Sequence, residues 1–102
     1  MKLTFKQTAI DDILASAAYL RDTLGNASAA KQLIARIYNA AELLPDNPYM
    51  GAALSGKLDL ETDLRYFIVA KQIIFYRVIE PDAIEITRVL DGRQDYLALL
   101  FS

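Results

Sequence analysis

Residues 64–90 hold three short apolar runs separated by gaps only two residues long, Lys71-Gln72 and Pro81-Asp82. Gaps that short leave a strand nowhere to go but back along its neighbour. The three runs, 64–70, 73–80 and 83–90, are therefore expected to pair as an antiparallel meander. Four arginines punctuate this region and its tail (Arg65, Arg77, Arg88 and Arg93). A guanidinium is tolerated in a strand only where it reaches water, a carboxylate or a partner. The segment 63–102 thus carries both a fold signature and the candidate working surface.

The rest of the chain must supply what covers that sheet. Residues 2–6 alternate polar and apolar around Leu3 and Phe5, which predicts a short strand. Thr8 with Asp11 reads as a capping box that opens a helix, with Asp11 and Asp12 in its first turn. Ile10, Ile13, Leu14, Ala17, Leu20 (or Arg21) and Leu24 repeat at helical spacing, and Gly25 is a natural stop. A second helix is expected from Asn26 or Ser28 to about Leu44, with Ala30, Leu33, Ile34, Ile37, Ala41 and Leu44 on its apolar stripe. The link is a few residues long, so the helices form an antiparallel hairpin, and its many alanines let the backbones approach closely. Pro45 and Pro48 end the second helix, Gly51 serves as a pivot, and 52–62 reads as an irregular polar loop. The expected order is β-α-α-β-β-β with a short C-terminal helical turn: one α+β domain over 1–102, with the helical hairpin packed on a small antiparallel sheet.

Composition narrows the chemistry. The chain has 102 residues, 54% apolar and 24% charged, enough for one modest core and unlike a disordered segment. It contains no cysteine and no histidine. Disulfides, thiolate nucleophiles, zinc hydrolases, Ser-His-Asp enzymes and histidine-based nucleases are excluded, and no metal or other cofactor is expected. A net charge of −2 and a pI near 4.9 argue against general attraction to nucleic acid. No run approaches the ~18 apolar residues of a membrane span, and the acidic Asp11-Asp12 pair interrupts any leader-like start. A cytoplasmic protein without a membrane role is the expectation.

Four segments together resemble the RelE/ParE superfamily of bacterial type II toxin–antitoxin modules. AIDDILASAAYL (9–20) is similar to the family's opening helix, and LLPDNPYMG (43–51) to its proline-glycine link. LRYFIVAKQIIFYRV (64–78) resembles the arginine-led hairpin, and RVLDGRQDYLALLF (88–101) the closing strand and tail. The resemblance implies a small toxin held inactive by a co-expressed ParD/RelB-like antitoxin that wraps its helices and sheet. Operator DNA would be reached only through the antitoxin. ParE-like members are linked to DNA gyrase and RelE-like members to messenger RNA cleavage on the ribosome.

For the RNA-cleaving branch the resemblance points to Arg65, Arg93, Lys57 and Tyr96 as the catalytic set. The tyrosine expected further along the tail falls near Leu99, which cannot transfer a proton. The acidic pI also suits ribosomal RNA poorly. The alanine-rich hairpin and the tail favour the ParE-like branch, although Asp91 stands where many such tails have histidine and Gln94 where a second arginine is common. A third possibility is an inactive toxin-like binding partner.

For target or antitoxin binding the candidates are Arg65, Arg77, Arg88, Arg93, Tyr96 and Phe101. Each has a structural alternative. Arg65 can pair internally with Asp63 or Glu61, and Arg77 and Arg88 can snorkel at a sheet edge. Tyr66 and Tyr76 read as core residues with satisfied hydroxyls. Tyr96, Leu99, Leu100 and Phe101 form one amphipathic turn that either docks on the sheet or meets a partner. An apolar groove left over beside the helices would suit an antitoxin helix, and the first strand, if it lies at the edge, would suit strand addition.

Overall fold

The computed structural model describes residues 1–101. The chain runs β1 (Lys2–Phe5), α1 (Gln7–Ala18), a π-helical turn (Tyr19–Thr23), α2 (Ala27–Ala41), β2 (Ala52–Ala53), α3 (Leu54–Lys57), β3 (Arg65–Val69), β4 (Gln72–Ile79), β5 (Ala83–Asp91) and α4 (Tyr96–Phe101). The fold is α+β, and the meander forms as the two-residue gaps require. Between β3 and β4 the turn residues are Ala70 and Lys71, both with left-handed backbone (φ 52° and 66°). That is the mirror-image turn whose twist suits a two-residue hairpin. Gln72 is therefore the first residue of β4 and not a turn residue.

The sheet is mixed, not purely antiparallel, with five strands in the order β1-β5-β4-β3-β2. β1 lies at one edge and pairs parallel with β5, Lys2 opposite Ala83 through Phe5 opposite Ile86. The expected loop at 52–62 holds β2, paired with β3, and the short α3, whose Leu54 is fully buried.

Two cores flank the sheet. The larger joins Ala9, Ile13, Leu33, Ile37, Ala41 and Leu44 of the helical hairpin to Ile74, Tyr76, Ile84, Ile86 and Val89 of the sheet. The opposite face is covered too, by a segment expected as loop and by the C-terminal turn, which docks on the sheet. There Leu54, Leu64, Ile73, Phe75 and Leu90 are buried, with Leu58, Tyr66, Tyr96 and Leu100 packed against them. A five-stranded sheet with apolar side chains on both faces needs two covers, and α3 and α4 together provide the second.

The expected capping box is absent. The N-cap of α1 is Lys6, without a side-chain cap, and no acidic residue stands in the first turn. The Thr8 hydroxyl instead donates to the Thr87 carbonyl at 3.0 Å, and Asp11 accepts from the Gln7 amide at 2.9 Å. The buried stripe of α1 is Ala9, Ile13 and Ala17, while Leu14 and Leu24 point outward, 55% and 58% exposed. Gly25, with φ of 66°, ends the first helical arm as expected. Asn26 caps α2 by accepting the Ala29 N–H at 3.0 Å.

Candidate functional site

Arg65 opens β3 opposite Tyr76 and shares its sheet face. Its Nε and Nη2 donate to the Gly51 carbonyl at 3.1 and 2.6 Å, and Nη2 reaches the Tyr49 carbonyl at 3.4 Å. The guanidinium also lies over the Tyr49 ring, 5.1 Å from its centroid. Neither Asp63 nor Glu61 is its partner. The Tyr76 hydroxyl donates to the Pro48 carbonyl at 2.9 Å and accepts the Gly51 N–H at 3.0 Å. A Cβ on Gly51 would sit 2.6 Å from the Tyr66 carbonyl and 2.7 Å from the Tyr76 hydroxyl. The role of Gly51 is close approach, therefore, rather than a pivot. The Tyr49 hydroxyl donates to Glu80 at 3.0 Å, and that bond to a carboxylate holds its pKa above the ordinary tyrosine value. Proline link, β3 and β4 are thus stitched together around Arg65 and Tyr76.

Arg88 is more enclosed than Arg77 or Arg93. Its Nε and Nη2 donate to the two Asp12 oxygens at 2.7 and 2.9 Å, and Nη1 donates to the Leu99 carbonyl at 3.2 Å. Asp12 accepts the Val89 N–H as well, at 3.0 Å. The side chains of Arg88 and Asp12 are only 23% and 13% exposed, and the bond to Asp12 raises the Arg88 pKa further above its ordinary range. One carboxylate thereby joins α1 to β5, and its arginine joins β5 to α4. Arg77 donates to Asp63 at 2.9 Å and lies 3.8 Å from Glu85. Arg77, Arg88 and Phe101 meet in one groove of about 270 Å³, which Lys6, Thr8 and Thr87 also line.

Arg93 stands apart from these, with its side chain 88% exposed. Asp91 receives its Nε and Nη2 at 3.1 and 3.0 Å and its N–H at 2.8 Å. Those bonds hold the Asp91 carboxyl below its ordinary pKa. The Gln94 side chain accepts the Asp91 N–H at 2.8 Å, which tightens the turn. Behind Arg93 opens a groove of about 520 Å³ walled by Tyr19, Leu20, Leu24, Leu33 and the buried Gln72. Tyr19 and Leu24 are 53% and 58% exposed.

Tyr96 opens α4 and packs its ring 5.8 Å from that of Phe75, on the face opposite the helical hairpin. Lys57 sits over the Tyr66 ring on that same face, 5.2 Å from its centroid. Leu99 lends its carbonyl to Arg88, and Phe101 is 46% exposed. The four residues of the RNA-cleaving set are therefore dispersed: Arg65 on one face of the sheet, Lys57 and Tyr96 on the other, Arg93 at the α1 groove. Among the described residues, no group of three or more acidic side chains converges as a metal site.

Asp12 is the partner of Arg88, not the helix-dipole residue that its place near the start of α1 suggests. A signal for it existed. Ala9, Asp12, Ile13, Ser16 and Ala17 follow inward helical spacing, and a carboxylate on such a stripe demands a cation. Thr87 carried no comparable signal, because its orientation depends on a register shift between β4 and β5.

A mixed five-stranded sheet with a helical hairpin on one face and short helices on the other defines a small α+β class. The chain belongs to the ParE toxin family of type II toxin–antitoxin systems, whose model matches residues 3–96. Among solved structures it is similar to a chain of the chromosomal ParDE toxin–antitoxin system from P. aeruginosa. The TM-score is 0.73 at 18% identity, over 89% of this chain and 95% of that one. A comparison with curated proteins gave no match.

Proposed function

We propose that this toxin acts in the cytoplasm by binding DNA gyrase and is neutralised by a ParD/RelB-like antitoxin. The observation that carries the reading is the presentation of Arg93, 88% exposed beside an apolar groove of about 520 Å³. Arginine at the rim of an apolar pocket is a protein-recognition pattern. The groove, with exposed Tyr19 and Leu24 on its wall, suits the apolar face of an antitoxin helix, and the open edge of β1 suits an added strand. The Arg77–Arg88–Phe101 groove and the outer side of α4 are further contact surfaces in this reading. Arg65 and Tyr96 contribute by holding the link and the tail in place. Dispersal of Arg65, Lys57, Tyr96 and Arg93 counts against the messenger RNA alternative, since proton transfer needs its groups within hydrogen-bond reach of one substrate.

One observation favours a second reading, an inactive toxin-like binding partner. Asp91 takes up the charge of Arg93 within the free chain. A gyrase supercoiling assay separates the two. Inhibition by the wild type that Arg93→Ala weakens at least tenfold supports the gyrase reading. Inhibition appearing only in Asp91→Asn supports the inactive form. Transcripts cut after induction, and left intact with Arg93→Ala, would overturn both in favour of an RNA-cleaving toxin.

A further inference from the structure

β1 lies at an edge of the sheet and pairs with β5 alone. The N–H groups of Lys2 and Lys6 turn inward and donate to the Asp82 and Ile86 carbonyls at 2.6 and 2.9 Å. Strand groups alternate, so Leu3 and Phe5 direct their N–H and C=O outward, where no strand meets them among the described residues. One face beside this open rim is apolar. Leu3, Phe5 and Tyr38 pack there against the main core while staying partly exposed, with the Phe5 and Tyr38 rings 4.8 Å apart.

The other face carries charge, and its sign alternates from strand to strand. Asp63, just ahead of β3, accepts from Arg77 of β4 at 2.9 Å. Arg77 stands opposite Glu85 of β5, 3.8 Å away, and Glu85 stands opposite Thr4 of β1. Thr4 lies between Lys2 and Lys6, which are both exposed, and no ion pair among the described residues includes either lysine. The row runs minus, plus, minus, plus and stops at the open rim. Opposite charges on neighbouring strands stabilise pairing and like charges oppose it, so a strand that continues the row brings acids. A second copy of the chain does not. The symmetric antiparallel register that uses all of β1 sets Lys2 against the second copy's Lys6, the guard that lysines commonly provide at an edge. A nucleic acid would leave the backbone groups and the apolar ledge unused and would meet a chain of net charge −2.

We propose that the outer rim of β1 seats an extended segment of the antitoxin in which acidic and apolar residues alternate. The segment bonds to the backbone of Leu3 and Phe5, sets its acids beside Lys2 and Lys6, and packs its apolar residues on Leu3, Phe5 and Tyr38. The inference rests on the reading that an antitoxin neutralises this chain, and it names the chemistry of one contact.

The test is amide-resolved NMR titration and hydrogen exchange of the intact chain with three capped nine-residue peptides: alternating Val-Glu, alternating Val-Lys, and the Val-Glu peptide with an N-methylated backbone. The Val-Glu peptide should slow exchange at the Leu3 and Phe5 amides and bind about tenfold tighter than the Val-Lys peptide. Added salt should narrow that difference, and Lys2→Gln with Lys6→Gln should erase most of it. N-methylation should abolish binding. Equal binding of the Val-Glu and Val-Lys peptides overturns the proposal, as does an N-methylated peptide that binds as well as its parent. Leu3 and Phe5 amides already protected in the wild type, with a dimer seen in sedimentation, would give the rim to a second copy. Bound peptide displaced by gyrase and not by co-purified antitoxin would give it to the target, and either result overturns the proposal. Wild type that co-purifies with no antitoxin sinks the preceding reading and this one with it, whereas equal peptide binding sinks this one alone.

Discussion

Replacing Asp12 with alanine tests the joint on which α1, β5 and α4 meet. Three hydrogen bonds are lost together: Arg88 Nε at 2.7 Å, Arg88 Nη2 at 2.9 Å and the Val89 N–H at 3.0 Å. The bidentate pair is partly reached by water, which places it near ~2 kcal/mol instead of the 3–5 of a fully buried ion pair. The orphaned Val89 N–H adds ~1 kcal/mol. A loss of ~3 kcal/mol in a domain of this size lowers the thermal midpoint by roughly 12–15 °C. Asp12→Asn keeps an acceptor for Val89 and gives up the charge, so about half that loss is expected. The double-mutant cycle with Arg88→Ala isolates the pair, with a coupling of ~1.5–2 kcal/mol measured by urea unfolding. Coupling below ~0.5 kcal/mol would refute the argument and reduce the pair to a surface contact.

The Ala70-Lys71 turn is strained, since both residues adopt φ above 50° without being glycine. Ala70→Asn with Lys71→Gly is expected to stabilise the fold by ~1 kcal/mol, read as a higher urea midpoint at unchanged slope. Tyr76→Phe orphans the Gly51 N–H and the Pro48 carbonyl and should cost ~2 kcal/mol. Gly51→Ala should cost more, because the Cβ meets backbone at 2.6 Å; equal stability of the two variants in thermal melts would contradict the packing. Asp91 has a depressed pKa in the fold, so its contribution is present above the unfolded carboxyl value near ~4 and lost as pH falls through the lower folded value. The stability gap between wild type and Asp91→Asn should therefore be steady at neutral pH and close as acid is added.

What could be read in advance was local. The meander rested on gaps too short for any other connection, and the helical hairpin on spacing and on the stops at Gly25 and Pro45. The parallel pairing of β1 with β5 joins residues some eighty positions apart, and no rule of sequential neighbours reaches it. The second cover was hidden for a similar reason. Leu54 and Leu58 sit in a stretch whose polar composition reads as loop, and only Phe75 and Leu90 on the far face make them core. Residue type marked the arginines as needing partners, but partner choice is tertiary. Arg65 turned to backbone carbonyls, Arg88 to a helix, and Arg93 to its own turn.

β1 stops at Phe5, whereas β5 runs on to Asp91. Beyond Ile86 the outer rim of β5 is met by side chains of α1, with Thr8 on the Thr87 carbonyl and Asp12 on the Val89 N–H. Backbone closure of an edge tolerates almost any sequence, but closure by two side chains survives only while those two residues do. A chain that drifted at Thr8 and Asp12 would keep its topology and expose several residues of open strand rim, the surface from which edge-to-edge aggregation grows. Solubility at that rim is written in two letters of a helix.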